Sequence, residues 1–229
     1  MGSGGRRPGA RGRLAVLDEY RTRRAPTGAA LRQRAILAAL APGGEPAGRT
    51  RTGVARRAAP GGRAKWKNVY TAVMQDIDEA LIPLGLVEEA GRMPPRRGPS
   101  ALREHGIPYY HLTRPGMLVA AAFAPDADVA ARLAQLFAGS AGEEARVGRA
   151  LGALAGAAPG LARAVLEGHV REFCEGRQRR LLPLTADKLA VGAGGEVRAS
   201  AGFLAGVMGL GEEDRGRVGA LLGAISGAR

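Results

Sequence analysis

The stretch YYHLTRPGMLVAAA, residues 109–122, changes its period partway along. Up to Thr113 it alternates as a strand does, with Tyr110 and Leu112 on one face and Tyr109 and His111 on the other. Thr113 then stands where a helix cap is expected, Pro115 falls in a first turn, and GMLVAAAFA continues as a run of helix formers. A short strand feeding directly into a helix is predicted, and what precedes it decides how that pair is used.

Immediately upstream, AGRMPPRRGPSALREHGIP, Ala90–Pro108, is too rich in Pro and Gly to be regular throughout. It reads as a loop carrying Arg92, Arg96, Arg97, Arg103 and His105. LGLVEE at 84–89 is a strand candidate before it. Earlier still, RAKWKNVYTAVMQDIDEALI, Arg63–Ile82, is the longest uninterrupted pattern in this half and is stopped by Pro83. At about 100° per residue, Trp66, Val69, Tyr70, Val73, Ile77 and Ala80 share one face, while Lys67, Asn68, Thr71, Gln75 and Asp78 share the other. This is an amphipathic helix with a polar, basic start, and its phase assigns Trp66 and Tyr70 to the core side.

Two shorter helices are predicted before it. AALRQRAILAAL, Ala29–Leu40, gathers Ile36, Leu37 and Leu40 on one side and ends at APGG. In RTRTGVARRA, Thr52 is placed to cap a helix reaching Ala58, which APGG at 59–62 then breaks. Residues 1–27 hold seven arginines among Gly, Pro and Ala, with only LAVLDEY at 14–20 able to pack, and read as a mostly flexible basic arm.

Beyond Pro125 the pattern is helical, with breaks near Gly139–Gly142, Ala158–Gly160, Pro183, Gly192–Gly195 and Gly211. The pieces DADVAARLAQLFA, EEARVGRALGALAGA, LARAVLEGHVREFCEGRQRRLL, LTADKLAV, EVRASAGFLAGVMGL and EEDRGRVGALLGAI give five or six short helices without a repeat period. Spacings such as Gly202/Gly206 and Gly219/Gly223 could allow close helix contact, although a composition this rich in Ala and Gly favours chance.

Composition limits the function. In 229 residues, 45% hydrophobic side chains suffice for a core, but aromatics are only 4% and there are 36 Gly, so burial rests on Leu, Val, Ile and Ala. The net charge of +13 is uneven: residues 1–120 hold 21 Lys and Arg against 9 Asp and Glu, a balance of +12, and residues 121–229 hold 13 against 12, a balance of +1. The first half is matched to a polyanion, nucleic acid ahead of an anionic membrane surface. No run approaches the ~18 to 20 apolar residues of a membrane span. Cys174, the only cysteine, excludes an intrachain disulfide and a Cys-based zinc site, and is expected as a small packed residue in a reducing compartment. MGSGGRRPGARGR lacks the apolar segment of a secretory signal, and Arg6 stands where myristoylation needs Ser or Thr. A cytoplasmic, nucleoid-associated protein is expected.

The order helix, helix, turn, helix, strand, basic loop, strand, helix, with LGLVEE before the loop and YYHLTRPGMLVAAA after it, resembles the winged helix-turn-helix family, broadly the PadR- and MarR-like transcriptional regulators. The resemblance covers about residues 29–122. The turn APGGR before the third helix is longer and richer in Gly than usual there, and that helix is about a turn longer. The resemblance implies a winged-helix domain over 28–122; with the flexible basic arm read over 1–27 and an all-α domain for dimerisation or sensing over 123–229, a mainly α fold with a small β-wing is expected. It implies double-stranded DNA as partner, with Arg63–Ile82 in the major groove, the loop as wing, and dimers on paired half-sites.

Lys67, Asn68 and Thr71 have the donors and acceptors that base edges need, with Lys65 on a flanking phosphate. Gln75 is a weaker candidate, because phosphate would repel Asp78. Arg92, Arg96, Arg97, Arg103 and His105 form the wing set, and Arg56, Arg57 and Arg63 are placed to grip the backbone. No phosphate-binding loop, H-E-x-x-H or dinucleotide fingerprint is present, and His111 and His169 read as hydrogen-bonded residues. No enzymatic activity, cofactor or metal is expected. Two other readings stand beside this one: a non-specific nucleic-acid or ribonucleoprotein component, and a winged helix serving protein contacts.

Overall fold

In the computed structural model, residues 13–22, 24–41, 44–59, 66–94 and 106–227 are described; the side chains of Trp66 and of 223–227 lie outside that description. Thr27 accepts the Ala30 N–H and opens α1 (Gly28–Leu40), which buries Ile36, Leu37 and Leu40. A 3-10 turn, Pro46–Arg49, leads to α2 (Arg51–Ala58). The cap of α2 is Thr50 and not the expected Thr52. Thr50 has extended backbone angles, and its Oγ accepts the Gly53 N–H at 3.2 Å while donating to Ala47 O at 3.0 Å. Thr52 lies inside the first turn, where its own N–H and C=O are already helical. Gly53 is required by packing, since a Cβ there would come within 2.5 Å of the Ala47 and Gly48 carbonyl oxygens.

The third helix, α3 (Trp66–Gln75), continues as a π-helical segment, Asp76–Leu81. Val73, Ile77, Ala80 and Leu81 are buried, and Val69 and Tyr70 half-buried, as the apolar phase requires. The chain then turns at Gly85, whose φ is +67°, a conformation glycine adopts without strain.

That turn corrects the expected strand at 84–89. Leu84 to Leu86 lie in the turn, and β1 runs over Val87–Met93, into residues expected as loop. It pairs antiparallel with β2 (Ile107–Leu112), Val87 opposite Leu112 and Met93 opposite Ile107, with an irregularity between Glu89 and Gly91. The bulge lets pairing continue past Ala90. Gly91 (φ +154°) also makes room for Tyr109, because a Cβ there would lie 2.8 Å from the Tyr109 hydroxyl. On the other edge of β2, Thr50 makes a single bridge to Tyr109.

Tyr110 and Leu112 are buried at the end of β2. Thr113 accepts the Gly116 N–H at 3.2 Å, Pro115 occupies the first turn, and α4 (Arg114–Ala122) follows. Six further helices complete the chain: α5 (Asp126–Phe137), α6 (Gly142–Ala157), α7 (Pro159–Cys174), α8 (Ala186–Gly192), α9 (Gly195–Gly209) and α10 (Glu212–Gly227). The helix expected across residues 161–182 ends at Cys174, where Gly176, at φ +76°, turns the chain away. Among the described residues the fold is ten α-helices with one two-stranded antiparallel sheet, and no helix is long and apolar enough to cross a membrane.

One hydrophobic cluster runs from Leu14 through α1–α4 and on to Leu184. The segment from Arg13 belongs to it, through LAVLDEY, the one patch of the mostly flexible arm over 1–27 that was expected to pack. Leu14, Ala15 and Val16 are buried, Gln33 accepts the Ala15 N–H at 2.8 Å, and Arg34 Nε donates to Val16 O at 2.7 Å. Three consecutive apolar residues, with the Ala15 N–H and the Val16 carbonyl satisfied by side chains of α1, account for the packing. Arg6, Arg7, Arg11 and Arg23 lie outside the described residues.

Candidate nucleic-acid interface

The core fixes the rotation of α3 about its axis. With Val73 and Ile77 fully buried, Lys67, Asn68, Thr71 and Gln75 are all exposed, a polar strip of about two turns on the outer face. Three side chains with directed donors and acceptors and one cation therefore face solvent from a helix whose other side cannot turn outward. Asp78, expected to repel phosphate one turn on, is neutralised: Arg51 Nη2 donates to its Oδ1 at 2.6 Å. Burial, the largest single influence, opposes the charge on Arg51, but the Asp78 hydrogen bond together with the charges of Tyr110, Asp78 and Tyr70 raises the pKa overall.

Arg56 and Arg57 are exposed in the last turn of α2, where cations also suit the helix dipole. Arg57 is committed locally. Its Nη2 donates to Gly48 O at 2.8 Å and braces the 3-10 turn against α2. Arg92, expected on a loop, is instead in β1 and is exposed. Its guanidinium makes two bonds to Glu89, at 2.6 and 3.3 Å, which raise its pKa ahead of any other influence. Its charge, expected to serve a wing, is therefore partly neutralised within the sheet. His111 and Glu88 form a second such pair across the sheet, 2.6 Å apart.

Two cations were missed. Arg49 lies over the Tyr109 ring at 5.3 Å, and Arg51 over the Tyr110 ring at 5.7 Å. Their Nε atoms are buried without a hydrogen-bond partner among the described residues. Aromatic faces hold both guanidinium groups beside β2, each contact contributing about 0.5–1 kcal/mol. The only sequence signal was the coincidence of an arginine-flanked RTRT with a YY pair, and their approach depends on the Thr50–Tyr109 bridge.

Six of the twelve expected contact residues are thus placed: Arg56, Arg57, Lys67, Asn68, Thr71 and Arg92. Arg63, Lys65, Arg96, Arg97, Arg103 and His105 lie outside the described residues. Compared with protein-family models, with curated proteins and with solved structures, the chain has no match in any of the three.

Proposed function

We propose that the protein is a sequence-reading DNA-binding transcriptional regulator of winged helix-turn-helix type, in which α3 enters the major groove. The observation that carries this reading is the polar strip Lys67, Asn68, Thr71 and Gln75, held outward by the buried Val73 and Ile77 within the half of the chain whose charge balance is +12. Asn and Gln pair in bidentate fashion with adenine, Lys with guanine, and Thr with either base edge or the thymine methyl. Arg49, Arg51 and Arg56 supply phosphate contacts around the strip, and the arginines of 95–105 supply them from the segment between the strands.

Selection of bound sequences from a random duplex pool, run at two salt concentrations, tests this. A common motif recovered at both salts, with affinity falling by a log–log slope of about −0.9 for each phosphate contact, is the expected result. Equal affinity for random duplex, or a preference for structured RNA, would move the assignment to a non-specific nucleic-acid component. No binding to either would end it.

A further inference from the structure

We propose that the hollow between the segment from Arg13, α1 and the end of α3 is a binding site for a free amino acid with a cationic side chain. The hollow has a volume of about 500 Å³, and Gln75, the last residue of the polar strip, is part of its lining. That volume falls within the roughly 300–1,000 Å³ usual for small-ligand sites. Three separate pieces of chain meet around a polar floor. Gln33, 2% exposed, accepts the Ala15 N–H at 2.8 Å and donates to Asp76 Oδ1 at 3.2 Å, while Arg32 Nε donates to the other Asp76 oxygen. Both oxygens of Asp76 are engaged, so the floor is fixed before any ligand arrives. The wall beyond it is the π-helical segment Asp76–Leu81, a widened turn of a kind that recurs at functional sites.

The charges around this floor do not cancel. Arg13 Nη2 donates to Asp18 Oδ1 at 2.7 Å and Arg32 pairs with Asp76, but Glu79 is exposed and has no ion pair or hydrogen bond among the described residues. Two guanidinium groups against three carboxylates leave a balance of −1, inside the half of the chain whose balance is +12. Each guanidinium also keeps N–H donors beyond the one directed at its carboxylate. The lining therefore offers spare cationic donors and an unpaired carboxylate together.

That combination selects the ligand. The α-carboxylate of an amino acid accepts from Arg13, the more exposed of the two arginines, and its α-ammonium faces Asp18, of which one oxygen is engaged. A side-chain cation then donates to Glu79. The net charge of +1 on such a ligand matches the −1 of the lining, which discriminates against neutral and acidic amino acids. The same balance disfavours a DNA phostphate, so the hollow is no extension of the surface around α3. The inference stands apart from the reading of α3. Joined to it, it places an effector beside Gln75, at the end of the outward strip.

Isothermal titration of the full chain with lysine, without DNA, is the test. Norleucine serves as lysine lacking its side-chain ammonium, cadaverine as lysine lacking its carboxylate, and glutamate as the acidic counterpart. Lysine is expected to bind saturably, about tenfold tighter than norleucine or cadaverine, and glutamate not to bind. Glu79→Gln should make lysine and norleucine equal, and Arg13→Gln should make lysine and cadaverine equal. Both side chains are exposed, so the circular dichroism of these variants should match wild type. Ala29→Met fills the hollow without changing its charge and should weaken lysine binding. No saturable lysine binding at millimolar concentration, equal binding of lysine and glutamate, or lysine binding unchanged in all three variants would overturn the proposal. DNA plays no part in the titration, so a chain that binds lysine and ignores DNA would refute the function and leave this site standing.

Discussion

Arg51 and Asp78 tie the first turn of α2 to the π-helical end of α3 across 2.6 Å. The pair holds α3 against the element before it, and it partners the Asp78 carboxylate one turn beyond the outward polar strip. Both side chains are about a third exposed, so solvent screening limits the ion pair to under about 1 kcal/mol, with the Tyr110 contact adding about as much. Arg51→Ala should therefore cost about 1–2 kcal/mol in denaturant unfolding and weaken DNA binding. Asp78→Asn should cost less and strengthen DNA binding, because it frees Arg51. A double-mutant cycle with no coupling between the two positions would show that the pair does not form in solution.

Gly116 is the point where α4 meets the turn before β1. A Cβ there would lie 1.9 Å from Leu86 O, a backbone atom that also accepts the Thr113 N–H at 3.1 Å. Neither partner can move without breaking the β2 to α4 junction, where the Thr113 hydroxyl also bonds Gly85 O. Gly116→Ala should lower stability by about 3 kcal/mol. Gly152→Ala, on α6 with open space around it, should raise stability by about 0.5–1 kcal/mol. Thermal unfolding of the two variants should move in opposite directions.

The strand-to-helix junction was legible because each residue type has one local use there: Thr113 caps, Pro115 enters, and Tyr110 and Leu112 alternate inward. The outward strip of α3 was legible from phase alone. Competing local solutions hid the rest. Thr50 and Thr52 are both competent caps, and only the preceding 3-10 turn decides between them. LGLV reads as a strand until Gly85 adopts its left-handed turn. Pairing of Arg92 with Glu89, of Arg57 with Gly48, and of Arg49 and Arg51 with tyrosines depends on tertiary approach, which no periodicity encodes. The π-helical step at Asp76 likewise left no sequence signal.

His169 on α7 is fully buried, and its Nε2 donates to Leu181 O at 2.9 Å. Burial lowers its pKa first; the backbone bonds to Leu181 and Lys188 and the charge of Glu172 oppose that, and the Lys188 charge adds to it. Below about pH 6.5, the usual histidine value, the unfolded chain takes up a proton that the folded chain refuses. Stability should fall as the pH drops through that range. His169→Gln should be less stable at neutral pH and should lose this part of the pH dependence. A wild-type unfolding midpoint that stays flat from neutral pH down through this window would contradict the burial.

Cys174 ends α7, and burial, reinforced by Asp18, pushes its thiol pKa from 9.0 up to about 11. At mildly alkaline pH the native thiolate fraction should be about 100-fold below that of an unperturbed thiol. Alkylation of the native protein should be correspondingly slow and should accelerate on unfolding. Equal rates in the native and denatured protein would show that the end of α7 is not packed against the segment that begins at Arg13.

The most direct measurement compares two paired substitutions against a selected duplex and a random one. Lys67→Ala with Asn68→Ala should abolish the difference in affinity between the two duplexes, since both side chains stand on the outer strip of α3. Arg96→Ala with Arg97→Ala should weaken both duplexes alike and reduce the salt slope by up to about 2. Retained discrimination in the Lys67/Asn68 variant, or unchanged affinity in both variants at moderate salt, would contradict the account.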